Sequence, residues 1–209
     1  MVGTAGNLSV RVGGQIAVTP TGVAYEALTP ADICVRGLDG TAVDGALRPT
    51  SELPLHLAVY AMTGAGAVVH THSVAATALS CLVDEVPPVH YYIALFGGLV
   101  RVAPYAEYGT PELAAGAVEA LRDRTGCLLG NHGAVTIGDT LDLAYERARY
   151  LEWLCDVALR ALSAGVGPRL LTAAQLDAVA PRLAAYGQPP ASAVEGSDAP
   201  EPDRGVSSR

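Results

Sequence analysis

Hydrophobic positions along this chain follow two rhythms: short runs of period two near the start, then longer stripes of period 3.6 alternating with further short runs. Val10-Arg11-Val12 and Ile16-Ala17-Val18, separated by Gly13-Gly14, predict a β-hairpin. Thr19-Pro20-Thr21-Gly22 then breaks the second strand with turn chemistry. Ile33-Cys34-Val35 predicts another short strand, ended by Leu38-Asp39-Gly40. Three short strands with tight connections point to a substantially antiparallel sheet.

Farther along, helices enter. Leu55, Ala58, Val59 and Met62 form the apolar stripe of a helix beginning at Glu52, with Ser51 as its cap and Pro54 in its first turn. Residues 67–72 predict a strand, 75–82 an alanine-rich helix, and 99–102 a further strand. Thr110 and Pro111 start a helix that ends near Asp123. Strands at 127–129 and 134–137 flank Gly130-Asn131-His132-Gly133, and a long helix runs from Asp139 or Thr140 to about Leu162. Thr172 opens a last helix, ending before Tyr186-Gly187. This alternation without an internal linker predicts one layered α/β domain over 1–187. From Pro189 the chain is rich in Pro, Ser and Asp without periodicity, so 188–209 is expected to be a disordered tail.

Composition sharpens this picture in one place. Of the 209 residues, 13 are cationic and all are arginine. A chain without lysine cannot form a Schiff base with a carbonyl, hold pyridoxal phosphate or build a Walker A loop. The formal charge of -8 argues against nucleic-acid or anionic-membrane partners. No apolar run approaches the length of about 20 residues that spans a bilayer, and no signal-peptide pattern is present. Four singly placed cysteines, Cys34, Cys81, Cys127 and Cys155, read as reduced, buried thiols in a cytoplasmic protein.

Candidate chemistry centres on two of the five histidines, in His70-Thr71-His72. Residues i and i+2 of a strand share a face, so both imidazoles can converge on one metal ion. Two ligands do not make a site; His132, in its glycine-framed turn, is the candidate third. Glu52 is either a first-turn glutamate complementing the helix dipole or a metal ligand and acid/base. Gly6-Asn7-Leu8-Ser9, Thr21-Gly22 and Thr50-Ser51 are small-polar segments able to bind a dianion through amides and hydroxyls.

Taken together these segments resemble the class II, metal-dependent sugar-phosphate aldolase family. The resemblance rests on Gly3-Thr4-Ala5-Gly6-Asn7-Leu8-Ser9, Thr19-Pro20-Thr21-Gly22, Thr50-Ser51-Glu52 and Val68-Val69-His70-Thr71-His72. It continues in His90-Tyr91-Tyr92-Ile93-Ala94, Ala103-Pro104-Tyr105, Tyr108-Gly109-Thr110, Asn131-His132-Gly133 and Tyr186-Gly187. It implies a three-layer α/β/α fold with a central, mostly antiparallel mixed sheet, here without the family's usual N-terminal helix. It also implies His70, His72, His132 and Glu52 as ligands of one zinc ion per subunit, with Glu52 doubling as proton shuttle. Asn7, Thr21, Gly22, Thr50 and Ser51 would form the phosphate and substrate pocket. Tyr91 would be an acid/base from a neighbouring subunit of a homotetramer, with Tyr186 and Tyr108 in support. His56 and His90 read as supporting hydrogen-bond partners, Tyr92 and Tyr105 as packing, Trp153 with Tyr150 and Leu154 as core or interface, and Arg147 and Arg149 as a solvated face.

The implied reaction is reversible cleavage of a ketose 1-phosphate to dihydroxyacetone phosphate and an aldehyde. Most like the segments here are the members that act on L-fuculose 1-phosphate, which gives L-lactaldehyde. Zinc as Lewis acid would replace the iminium that a lysine-free chain cannot form. Two other readings stay open on this scaffold: an L-ribulose-5-phosphate 4-epimerase or methylthioribulose-phosphate dehydratase, and an inactive module like adducin heads. The His90–Ala94 segment favours the aldolase, and the intact histidines with Glu52 oppose the inactive module.

Overall fold

The computed structural model describes residues 3–186. Its centre is one eight-stranded sheet, built from β1 (Asn7–Val12), β2 (Gln15–Val18), β3 (Cys34–Gly37), β4 (Ala42–Asp44), β5 (Ala67–Thr71), β6 (Val102–Ala103), β7 (Gly126–Leu129) and β8 (Gly133–Gly138). The strand order is β4-β3-β2-β1-β5-β8-β7-β6, and only the β6–β7 pair is parallel. That pair is joined by the crossover helix α3 (Pro111–Ala120), as parallel pairing demands. The remaining helices are α1 (Leu53–Met62), α2 (Val74–Ser80), α4 (Leu141–Leu162) and α5 (Ala173–Ala184).

Alternation of side chains through the pleat divides the core into two layers. Val68 of β5, Leu129 of β7 and Val135 of β8 pack on one face with Leu55 and Val59 of α1 and Leu113 and Ala117 of α3. On the other face Leu128 and Ala134 meet Leu79 of α2 and Leu151 and Leu154 of α4, while Ala67 and Val69 meet Ala144 and Ala148. Helices therefore cover both faces of a mixed, mostly antiparallel sheet, the α/β architecture expected. Gly187 and the tail expected at 188–209 lie outside the described residues.

Several local expectations change. The helix at Glu52 is capped by Glu52 rather than Ser51, and no side chain supplies its cap hydrogen bond. Glu52 turns its carboxylate to the sheet, so its use in the interior overrides local capping. The strand expected at 99–102 is reduced to Val102–Ala103, because Val100 and Val102 bond instead to the segment at Asp84–Val86. Arg147 is half-buried rather than fully solvated: its guanidinium donates to the Ile137 carbonyl at 2.6 Å, closing the end of β8. Cys81 is exposed, whereas Cys34, Cys127 and Cys155 are buried; all four are free thiols. Thr110 and Thr172 cap their helices as anticipated, and Thr140 rather than Asp139 caps α4.

Candidate metal centre

β1 and β5 set the foundation of the site. Their antiparallel register pairs Asn7 with His70 and Ser9 with Val68, so the polar residues of β1 share the α1 face with His70. His70 is fully buried on the penultimate residue of β5, and His72 follows the strand end on the same side. His132 reaches them from the turn between β7 and β8. There Asn131 adopts φ 55, a left-handed conformation that asparagine tolerates better than most residues. Gly133 lets this turn close against β5, since a Cβ at that position would stand 2.2 Å from the Thr71 carbonyl oxygen.

Glu52 arrives from the opposite direction. The Pro20–Pro49 bridge and the Thr50 N–H donating to the Thr19 carbonyl tie the chain before α1 to the turn after β2. The first turn of α1 then projects the Glu52 side chain onto the histidines. Its Oε2 lies 3.0 Å from His70 Nε2 and accepts the Asn7 amide at 2.8 Å. Its Oε1 is 3.4 Å from His132 Nε2 and is buried without a hydrogen-bond partner among the described residues.

The three imidazoles converge by their Nε2 atoms. His72 Nε2 stands 2.9 Å from that of His70 and 3.0 Å from that of His132. His70 Nδ1 lies 3.0 Å from the Ala134 carbonyl oxygen, which can only accept, so Nδ1 carries a proton and Nε2 is the nitrogen turned inward. Burial, reinforced by repulsion from His70, lowers His72 and brings His132 to about 4, so both favour the neutral, ligating form. Burial by itself would raise the Glu52 carboxyl, but the hydrogen bond and charge of His70, with Asn7 and His132, outweigh it and bring Glu52 to about 2.

This donor set fits a divalent cation. Three imidazole nitrogens and a carboxylate, all within 4.8 Å of one another, face each other with more acceptor sites than protons to fill them. Four ligands arranged tetrahedrally about a zinc ion would stand roughly 3.4 Å apart, close to the separations seen here. A cation also explains why a buried carboxylate oxygen lacks a protein partner.

The cluster forms the floor of a cavity of ≈ 510 Å³, which exposes Glu52, His72 and His132. Asn7, Thr21, Gly22, Thr50 and Ser51 line it, and Tyr108 stands at its edge. Gly22 has φ 71 with open space around it, leaving backbone exposed to a ligand. Among the described residues, no arginine side chain lines the cavity. Among the lining residues not expected from sequence are Tyr105, read as packing but largely exposed, and Asn131. The glycine frame around Asn131-His132 was the available signal for the second.

Two expected residues do not join the cavity within this chain. Tyr91 begins a 3-10 helix, Tyr91–Phe96, is 42% exposed and stacks on His90, with ring centroids 4.3 Å apart. His90 accepts the Tyr92 N–H at 3.2 Å, which makes it the cap of that turn and accords with a supporting role. Tyr186 is 85% exposed at the end of the described residues. Tyr92, Tyr150 and Trp153 pack beside Tyr91 and His90, forming an aromatic surface.

Comparison with known proteins agrees with this geometry. Residues 1–159 match the family model described as the class II aldolase and adducin N-terminal domain. A 5-deoxy-D-ribulose 1-phosphate aldolase of Bacillus thuringiensis is 36% identical over 189 residues, covering 89% of this chain and 88% of that protein. A 5-methylthioribulose-1-phosphate/5-deoxyribulose-1-phosphate aldolase of Rhodospirillum rubrum is 38% identical, covering 88% and 84%. Among solved structures, an L-fuculose 1-phosphate aldolase superposes with a TM-score of 0.84 at 35% identity, covering 88% of each chain. The chain thus belongs to the class II aldolase and adducin N-terminal domain family and is a lyase of its aldolase branch.

Proposed function

We propose that this protein cleaves a terminally deoxygenated ketose 1-phosphate to dihydroxyacetone phosphate and a short aldehyde. The observation that carries this reading is the Glu52 and three-histidine cluster, with its unpartnered Oε1, on the floor of a hydroxyl-lined cavity. His70, His72, His132 and Glu52 would hold one zinc ion, which supplies Lewis-acid stabilisation of the negative charge that C–C cleavage leaves on the ketose fragment. Thr21, Thr50 and Ser51, with the backbone at Gly22, bind the phosphate through hydroxyls and amides. Asn7 orients Glu52 and a substrate hydroxyl. Glu52 Oε1, free of hydrogen bonds to the protein, gives or takes the proton at the carbon where the bond breaks or forms. The balancing proton at the departing hydroxyl belongs to Tyr91 of a neighbouring subunit. This assigns the aromatic surface around Tyr91 and Tyr186 to contact with another copy in a homotetramer. Tyr108 meets the aldehyde end. The reaction takes place in the reducing cytoplasm, where four free thiols persist.

Two sugars head the candidates. L-Fuculose 1-phosphate, giving L-lactaldehyde, is supported by the likeness to the solved L-fuculose 1-phosphate aldolase. A 5-deoxyribulose 1-phosphate, giving acetaldehyde, is supported by the names of two relatives at 36% and 38% identity. The test offers both, together with 5-methylthioribulose 1-phosphate and L-ribulose 5-phosphate, and measures release of dihydroxyacetone phosphate. Release from at least one 1-phosphate is expected. Turnover of L-ribulose 5-phosphate alone, with no dihydroxyacetone phosphate, would replace the aldolase with an epimerase.

A further inference from the structure

From the cavity wall, Glu52 and Asn7 lead into a file of buried polar side chains. Asn7 Nδ2 donates to Glu52 Oε2 at 2.8 Å. Asn7 Oδ1 lies 2.5 Å from His56 Nε2, and His56 Nδ1 lies 2.6 Å from Ser9 Oγ. Ser9 Oγ lies 2.9 Å from the Tyr60 hydroxyl. All five residues are buried, His56 completely. Two elements assemble the file. Glu52, His56 and Tyr60 follow at intervals of four along one face of α1, and Asn7 and Ser9 alternate on the facing side of β1.

The direction of the protons follows from the end at Glu52. A carboxylate only accepts, so Asn7 presents its amide N–H to Glu52 and its carbonyl oxygen to His56. An acceptor at that place requires the proton of His56 to sit on Nε2. The neutral ring carries one proton, so Nδ1 accepts the hydroxyl proton of Ser9. Ser9 Oγ has then spent its only proton and accepts from Tyr60. Four hydrogen bonds point the same way, from Tyr60 to Glu52, and reversing any one of them would set two donors or two acceptors face to face.

We infer that His56 is a positioning residue for Glu52, acting through the Asn7 amide. By fixing which end of that amide faces the carboxylate, it engages Oε2 and leaves Oε1 as the oxygen available to the reaction. The inference rests on the reading of Glu52 as the proton-handling carboxylate. A buried network serving the fold alone would show the same burial, so the test must read something that packing does not move.

In protein labelled with 15N at its five histidines, the ring signals that vanish in His56→Gln identify His56. They are expected to show a protonated Nε2 and a lone-pair Nδ1, and the opposite tautomer would overturn the proposal. Kinetically, His56→Leu removes the donor to Asn7 and should lower kcat about 10- to 100-fold while KM changes less than about twofold. His56→Gln, which keeps an N–H donor, should recover most of that loss. In an Asn7→Ala background the His56→Leu change should cost little more, because the link it acts through is gone. Unchanged kcat in a folded His56→Leu protein, or fully additive losses in the double variant, would contradict the role. If His56→Leu does not fold, the tautomer and His56→Gln still decide. Should no ketose 1-phosphate be cleaved by the unaltered protein, the reading of Glu52 fails, while the tautomer separately confirms or refutes the direction of the file.

Discussion

The two oxygens of Glu52 meet different surroundings. Oε2 accepts from Asn7 and lies beside His70 Nε2, while Oε1 is buried with no hydrogen-bond partner among the described residues. The histidine pair was legible in the sequence, because strand periodicity alone places His70 and His72 on one face. The file behind Glu52 was legible only in part. His56 could be read as a supporting partner from its spacing on the helix, but its contact with Asn7 and Ser9 depends on how β1 registers against β5 and faces α1, and no local pattern records that register. Tyr105 was misread for a related reason: an aromatic side chain beside Pro104 looks like packing until the cavity is seen. At this scale the account predicts that His70→Ala loses both bound metal and aldol cleavage, measured by elemental analysis and dihydroxyacetone phosphate release on the same sample. Retained cleavage in that variant would separate the histidines from the chemistry.

Elements place these residues through close backbone approaches. The turn between β7 and β8 carries His132 only because Gly133 can lie against Thr71. In Gly133→Ala the added methyl must displace backbone, and overpacking of this kind costs on the order of 1–3 kcal/mol. The expected outcome is a lower Tm together with weakened metal binding, since the turn moves with its histidine. An unchanged Tm with wild-type metal affinity would show that the turn has slack. Long helices and the β1–β2 hairpin were readable because caps, paired glycines and periodicity agree there. The start of α1 was misjudged because Glu52 is drawn to the sheet, leaving Ser51 without the cap position. The strand near Val100 came out shorter because its backbone bonds to Asp84–Val86 rather than continuing the ladder.

For the whole molecule, two predictions concern assembly and pH. If Tyr91 completes the site of a neighbouring copy, Tyr91→Phe and Glu52→Gln proteins, each inactive, should regain about one quarter of full activity when subunits are mixed randomly at equal ratio. No recovery in verified mixed oligomers would place Tyr91 elsewhere. Burial holds His56 at about 3 and His132 at about 4, each below the ordinary 6.5. As pH falls below 6.5 the unfolded chain takes up protons that the folded chain refuses, so the metal-free protein loses stability progressively from that pH down to about 4 through His132 and down to about 3 through His56. Glu52, held at about 2, adds a further loss below its ordinary 4.5 by the same linkage. Thermal unfolding of metal-free protein between pH 7.5 and 5 checks the sign, and a flat profile would oppose neutral, buried histidines. The α/β class and layer pattern were readable from the alternation of periods, whereas the cross-copy arrangement was suggested only by family resemblance. The central claim, metal-dependent aldol cleavage at the Glu52 and three-histidine cluster, is tested most directly by exhaustive chelation followed by zinc titration while dihydroxyacetone phosphate release is measured. The account predicts that cleavage falls to background on chelation and returns in full at one zinc per chain; full activity in demonstrably metal-free protein would contradict it.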